Sequence, residues 1–109
     1  MPTLLEEICR KIASDQFEFS NHAVDNSILR RIRVQEIKEA VATGQLIEDY
    51  PNDKYGPSCL ISGLTRTNRL IHVHCSYPSR PLIKIITFYE PDPKRWINDF
   101  TTRRSSNDE

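Results

Sequence analysis

The feature that most constrains this chain is a change of period at Gly44. Before it, apolar residues recur every three or four positions, as on one face of a helix; after it they alternate, as in strands. Thr3-Leu4-Leu5-Glu6 has the T-x-x-E form of a capping box, and Leu4, Leu5, Ile8 and Ile12 follow at helical spacing. The pattern predicts a helix over 4–14. Phe17-Glu18-Phe19 alternates and reads as a brief edge strand. Ser20 stands where an N-cap belongs, with Val24, Ile28 and Leu29 as the stripe of a second helix running to about Arg31. A third helix is expected over about 34–43, carrying Ile37, Ala40 and Val41, with Gly44 as a left-handed stop.

Beyond Gly44, residues 46–50, 58–65, 69–77 and 82–89 read as strands. The turns between them are built from Pro51-Asn52-Asp53, Thr67-Asn68 and Pro78-Ser79-Arg80-Pro81. Loops this short force antiparallel hairpins. Asp92-Pro93 has the form of a cap followed by proline at the first helical position, which predicts a C-terminal helix holding Trp96 and Phe100. Trp96 is expected to pack on the sheet. The fold class is therefore α+β: N-terminal helices, a four-stranded antiparallel sheet and a C-terminal helix. A chain of 109 residues supports one domain, assigned to 1–102, with 103–109 as a polar, frayed tail.

Charge is balanced overall but arranged in blocks. Residues 1–29 carry −3, 30–33 carry +3, 34–53 carry −4, 54–89 carry +5 and 90–109 carry −1. The 36 residues from Lys54 to Tyr89 contain no Asp or Glu, where about five would be expected from 15 acids in 109. Strands disfavour acids, which accounts for their absence but not for the retained cations Lys54, Arg66, Arg69, Arg80 and Lys84. Positive potential of this kind attracts phosphate, so these residues and Arg31 are candidate RNA contacts. Cys9, Cys59 and Cys75 are odd in number and form no C-x-x-C pair, which predicts buried reduced thiols and a cytoplasmic setting. No apolar run reaches the roughly 20 residues of a membrane span, and the first dozen residues lack the form of a signal peptide.

Alternation places His72 and His74 on one strand face with Leu70 and Ser76, while Ile71, Val73, Cys75 and Tyr77 face the core. Paired imidazoles suit proton transfer near neutral pH, and equally suit a hydrogen-bonded pair on an outer sheet face. No carboxylate or thiolate stands at a convincing ligand spacing, so neither metal nor cofactor is expected. If the hairpin closes with Tyr77 opposite Leu82, His74 faces Ile85, His72 faces Thr87, and Tyr89 lies beside Leu70. A slip of one residue substitutes Lys84 and Phe88 as neighbours. His22 falls in the first turn after Ser20, where backbone N–H groups favour an anion. Arg30, Arg31 and Arg33 form the +3 block.

Read in order, these residues resemble a bacterial family of unknown function grouped with the RelE/ParE, BrnT and MqsR-like toxin folds. The resemblance runs from Phe19 to about Trp96, some seven-tenths of the chain. It is carried by Ser20-x-His22-Ala23, Arg30 before Ile32, Glu36-Ile37 and Gly44-x-x-Ile47-Glu48-x-Tyr50-Pro51-x-Asp53. Pro57-Ser58-Cys59-Leu60, His72 in a strand, and Thr87-x-Tyr89-Glu90-Pro91-Asp92-Pro93-x-x-Trp96 complete it. The chain departs from the family pattern at Asn26, where arginine is frequent, and at Arg31, where glycine is common. Arg33 replaces a Ser/Thr cap, a change that costs about 1 kcal/mol of helix stability. The resemblance implies a RelE-like fold, an RNA-cleaving toxin and a neutralising antitoxin, with the zinc-finger MqsA-like kind as the candidate.

The expected chemistry is metal-free endoribonuclease action on single-stranded RNA, the 2′-hydroxyl attacking its own phosphate. His72 or His22 is cast as base or acid, with His74 beside them. Arg30 with Lys84 or Arg69 is the phosphate clamp, and Tyr89 an optional proton donor. Two other classes fit the same residues. A non-catalytic RNA- or ribosome-binding module needs the cations but not the histidines, and a protein-interaction adaptor needs only an acidic partner.

Overall fold

A computed structural model describes residues 3–21, 23–24, 31–54, 56–94, 96–97 and 102–103. Helix α1 spans Leu4–Ala13, and the Thr3 hydroxyl accepts from the Glu6 N–H at 3.2 Å, which is one half of the expected capping box. Its Ile8 and Ile12 are fully buried. Strand β1 (Phe17–Phe19) follows, and then Ser20 caps a helical start containing Asn21, Ala23 and Val24. The Ser20 hydroxyl accepts from the Ala23 N–H at 3.0 Å and donates to the Ile86 carbonyl at 2.8 Å, tying this start to the sheet. The rest of the expected second helix lies outside the described residues, as do His22, Arg30 and Phe100. Arg31 is described, and its φ of 53° lies in the left-handed region that favours glycine.

Helix α2 spans Val34–Ala42 and buries Ile37, Ala40 and Val41. Its cap, Arg33, has no side-chain oxygen with which to accept from the first turn. Only the reciprocal bond forms, the Arg33 N–H donating to Glu36 Oε1 at 3.0 Å. Gly44 does not adopt the expected left-handed conformation; among the described glycines only Gly56 has positive φ. Space is what Gly44 supplies, since a Cβ there would lie 2.5 Å from Ile61 Cγ2 and 2.7 Å from the Ala40 carbonyl oxygen. Gly63 is tighter still. Its Cβ would fall 1.7 Å from the same carbonyl oxygen, so α2 rests directly on the sheet backbone there.

The remaining main strands are β2 (Gln45–Tyr50), β3 (Ser58–Leu64), β4 (Leu70–Ser76) and β5 (Ile83–Tyr89). They form the expected antiparallel meander, but the sheet is five-stranded and mixed, in the order β1-β5-β4-β3-β2. The additional strand is β1, which runs parallel to β5 with Phe17 opposite Ile83. It joins because Phe17 and Phe19 find apolar cover against the core. The expected C-terminal helix is not formed by the described residues. Asp92 caps only a turn, accepting from the Lys94 N–H at 2.9 Å. Trp96–Ile97 (β6) then pairs antiparallel with Thr102–Arg103 (β7). Of the expected tail only Arg103 is described, and it lies in that strand.

Both helices cover one sheet face. Their isoleucines, Ala40 and Val41 pack against Cys59, Ile61, Ile71, Val73, Cys75, Ile83, Ile85 and Phe88. Cys59 and Cys75 are register partners within this core. Cys9 is half-buried and donates from sulfur to the Val41 carbonyl at 3.3 Å. Hydrogen bonding to Cys59 and burial both push the Cys75 thiol up, away from the reactive thiolate. No described helix is long and apolar enough to cross a membrane.

Two substitutions test this packing. Arg33→Ser supplies the missing cap oxygen and should stabilise by about 1 kcal/mol, a rise of about 4–8 °C in thermal midpoint. Gly63→Ala should lose about 3 kcal/mol or more, because a backbone carbonyl rather than a flexible side chain must move. Paired thermal melts followed by circular dichroism measure both.

Candidate functional site

The second sheet face carries the polar residues. A bulge in β5 sets which of them meet: Cys75 pairs with Ile85, but His74 pairs with Thr87 and His72 with Tyr89. The expected register placed His74 on Ile85 and His72 on Thr87. The hairpin closes one residue out of the expected register and the extra β5 residue adds one more, so the histidines' neighbours move along by two, preserving the face and changing the partners.

That face separates the two histidines. His72 has no exposed surface. The Trp96 ring meets it edge-on at 4.5 Å between centroids, and Tyr89 lies at 5.4 Å with its hydroxyl 3.4 Å from His72 Nδ1. Trp96 thus packs on the sheet as expected, from a strand rather than a helix. His74, one alternation further along β4, remains partly exposed. Its Nε2 lies 2.9 Å from the Ser58 hydroxyl, and the Tyr50 ring stands edge-on at 5.6 Å. Ser58 in turn donates to Asp53 Oδ2 at 3.1 Å. Tyr50 donates from its hydroxyl to the Glu48 carboxylate.

Two clefts meet at His74 and Asp53. One, of about 510 Å³, is walled mainly by Tyr50, Pro51, Leu60, Thr87 and Tyr89. The other, of about 750 Å³, is bordered by Ser20, Ser76, Ser79, Tyr77, Arg80 and Lys84. Both fall in the size range of small-ligand sites. The Tyr77 hydroxyl donates to the Asp49 carboxylate, which pushes its pKa up to about 12.

The cations of the acid-free segment are divided between the two ends of β4, seven residues or about 20 Å apart. At the β3–β4 turn, Arg66 faces Glu39 at 3.7 Å. Arg69 is held by Glu36 at 3.0 Å, by Glu90 at 2.6 Å, and by the Arg31 carbonyl at 3.0 Å. Bonding to Glu90 first, then to Glu36, raises the Arg69 pKa further. These arginines are ion-paired with acids from other segments, and neither they nor Arg31 lines either cleft. At the opposite end Arg80 and Lys84 line the polar cleft. Among the described residues neither is paired with a carboxylate. Lys54 is exposed in the turn that follows β2, next to Asp53.

The structure therefore brings together His74, Tyr89, Arg80 and Lys84 from the expected set. It adds Tyr50, Asp53, Ser58 and Thr87, to which sequence reasoning gave no role. Asp53 and Ser58 stood in the motifs carrying the resemblance, so a signal existed, but Asp53 reaches His74 only through Ser58, across three separate segments. Among the described residues, no group of three or more His, Cys, Asp or Glu side chains is placed to hold a metal ion.

The architecture defines an α+β domain with helices on one face of a mixed sheet and a cleft-bearing opposite face. Residues 19–90 match the family described as domain of unknown function DUF4258, and the chain belongs to that family. Comparison with curated proteins and with solved structures gave no match.

The Arg69 cluster makes a pH prediction. Glu36 is held below the usual carboxylate range, chiefly by the Arg33 N–H and further by the Arg69 guanidinium. A lowered folded pKa gives stability that is complete above the unfolded value of about 4.3 and is lost as pH falls through the folded one. Between about pH 5 and pH 3, the thermal midpoint of Glu36→Gln should therefore fall less than that of the parent protein.

Proposed function

We propose that this protein is a metal-free endoribonuclease of the toxin kind, acting on single-stranded RNA. The observation carrying this reading is the position of His74 between an aromatic, mostly apolar cleft and a cleft lined by Arg80 and Lys84. A nucleotide has the same division, a flat base beside a charged phosphate. Tyr50 and Tyr89 offer ring surface to a base, as single-strand binders do. Arg80 and Lys84 offer donors to the phosphate oxygens.

In this reading His74 accepts the proton of the 2′-hydroxyl as its oxygen attacks the adjacent phosphorus. The bond from phosphorus to the 5′-oxygen breaks, leaving a 2′,3′-cyclic phosphate and a 5′-hydroxyl. Arg80 and Lys84 stabilise the charge that builds on the phosphorane oxygens. The proton for the leaving oxygen comes from a second acid, a role kept for His22, two positions after Ser20 in sequence. His72, enclosed by Trp96 and Tyr89, supports the floor of the site. The resemblance to RelE/ParE, BrnT and MqsR-like folds supports the toxin assignment. With it come a cytoplasmic setting and a neutralising antitoxin, with an MqsA-like zinc-finger protein as the candidate partner.

The burial of His72 and the ion pairing of Arg69 favour one second reading, a non-catalytic RNA- or ribosome-binding module. Incubation with single-stranded RNA in EDTA, with and without ribosomes, separates the two. Cleavage to cyclic-phosphate ends is expected, falling about 10²-fold or more in His74→Ala. Intact RNA under both conditions at high protein concentration would overturn the nuclease, and retained RNA binding by that same preparation would establish the module.

A further inference from the structure

We infer that Ser58 and Asp53 are positioning residues that fix the tautomer of His74, placing its proton on Nε2 and its basic lone pair on Nδ1. The tautomer follows from hydrogen-bond arithmetic. A serine hydroxyl has one proton to give. Ser58 gives it to Asp53 Oδ2 at 3.1 Å, yet His74 Nε2 stands 2.9 Å from the same oxygen. With the hydroxyl proton committed to the carboxylate, the short contact forms only if Nε2 is the donor. In the neutral ring Nδ1 is then the nitrogen able to accept a proton.

The surroundings hold this order in place. Ser58 is only 1 % exposed, and its backbone is fixed between Tyr50 on β2 and Ser76 on β4. Asp53 is set by the turn after β2, where its N–H donates to the Tyr50 carbonyl at 3.3 Å and its carbonyl accepts from the Gly56 N–H at 2.9 Å. Gly56, with φ of 110°, lets that turn close. The chain of bonds runs aspartate, serine, histidine. In the hydrolase triad the serine lies at the end and the imidazole removes its proton. Here the serine lies in the middle and is a donor to carboxylate, so it is not an activated nucleophile. Its effect is electrostatic: as Nδ1 gains a proton, the Nε2–H bond becomes charge-assisted and the Asp53 carboxylate faces the cation through one hydroxyl.

The tautomer stands on geometry alone; the assignment of Nδ1 as the atom that takes the 2′-hydroxyl proton rests on the ribonuclease reading. The test has two arms. Long-range proton–nitrogen spectra of the full chain labelled with ¹⁵N-histidine report the tautomer without any substrate. Protonated Nε2 and unprotonated Nδ1 are expected for His74, with Ser58→Thr keeping that state and Ser58→Ala giving mixed tautomers. A protonated Nδ1 in the parent protein, or an unchanged tautomer in a folded Ser58→Ala, would overturn the inference. Asp53→Ala, which removes the acceptor for the Ser58 proton, is the second variant should Ser58→Ala fail to fold. It should give mixed tautomers, and an unchanged tautomer there would equally overturn the relay. In the RNA-cleavage arm, Ser58→Ala should lower kcat about 10-fold or more with KM unchanged, and Ser58→Thr should restore it. A rise in KM at constant kcat would refute the positioning role. If the parent protein cleaves no RNA, the ribonuclease reading fails and the nitrogen spectra alone decide the tautomer.

Discussion

The fold depends on one close approach, α2 lying on β3 at Gly63 with the Ala40 carbonyl where a side chain would otherwise stand. Two layers held this near leave no room for a bulky residue between them. Ile37 and Val41 then reach past the contact into the strands, and Gly44 lets the chain leave the helix and enter β2 beside Ile61. With one sheet face sealed by helices, all functional geometry is confined to the other.

On that other face two departures from regular strand geometry decide what can happen. The β5 bulge brings Tyr89 rather than the core residue Phe88 opposite His72, and Thr87 opposite His74. Trp96 then closes over His72, while His74 stays at the wall between clefts. The second bulge falls in β2 between Leu46 and Glu48, so that Leu46 pairs with core residue Ile61 while Glu48 pairs with Leu60. Tyr50 thereby shares a face with Ser58 and stands against His74. The side chains of Tyr50, Asp53, Ser58 and His74, up to 24 positions apart in sequence, become one polar constellation.

Charge follows the same logic of assembly. The acid-free stretch is cationic only along the sequence. In space, Glu36, Glu39 and Glu90 arrive from α2 and from beyond β5 to neutralise Arg66 and Arg69. The segment's positive character is left at its far end, with Arg80 and Lys84 beside His74. Arg69 becomes a brace between the sheet and the start of α2, and its charge is spent within the fold. A basic block in sequence is thus a supply of cations, and their partners decide which remain for a ligand.

Much of the fold was legible because its signals are local. The Thr3 and Ser20 caps, the edge strand at Phe17–Phe19, the meander and the burial of Cys59 and Cys75, though not of the half-buried Cys9, follow from spacing and from turn chemistry acting within a few residues. The alternation that put His72 and His74 on one face was equally readable. Three errors share a different cause. Parallel pairing of β1 with β5, the strand at Trp96, and the engagement of Arg69 each depend on partners far away in sequence, which local propensity does not encode. Sequence by itself determined which residues share a face and where the chain turns, since backbone period and sterics are set residue by residue. Only the tertiary structure decided that His72 is enclosed and His74 is not. That difference comes from one extra residue in a neighbouring strand and one tryptophan closing from beyond it.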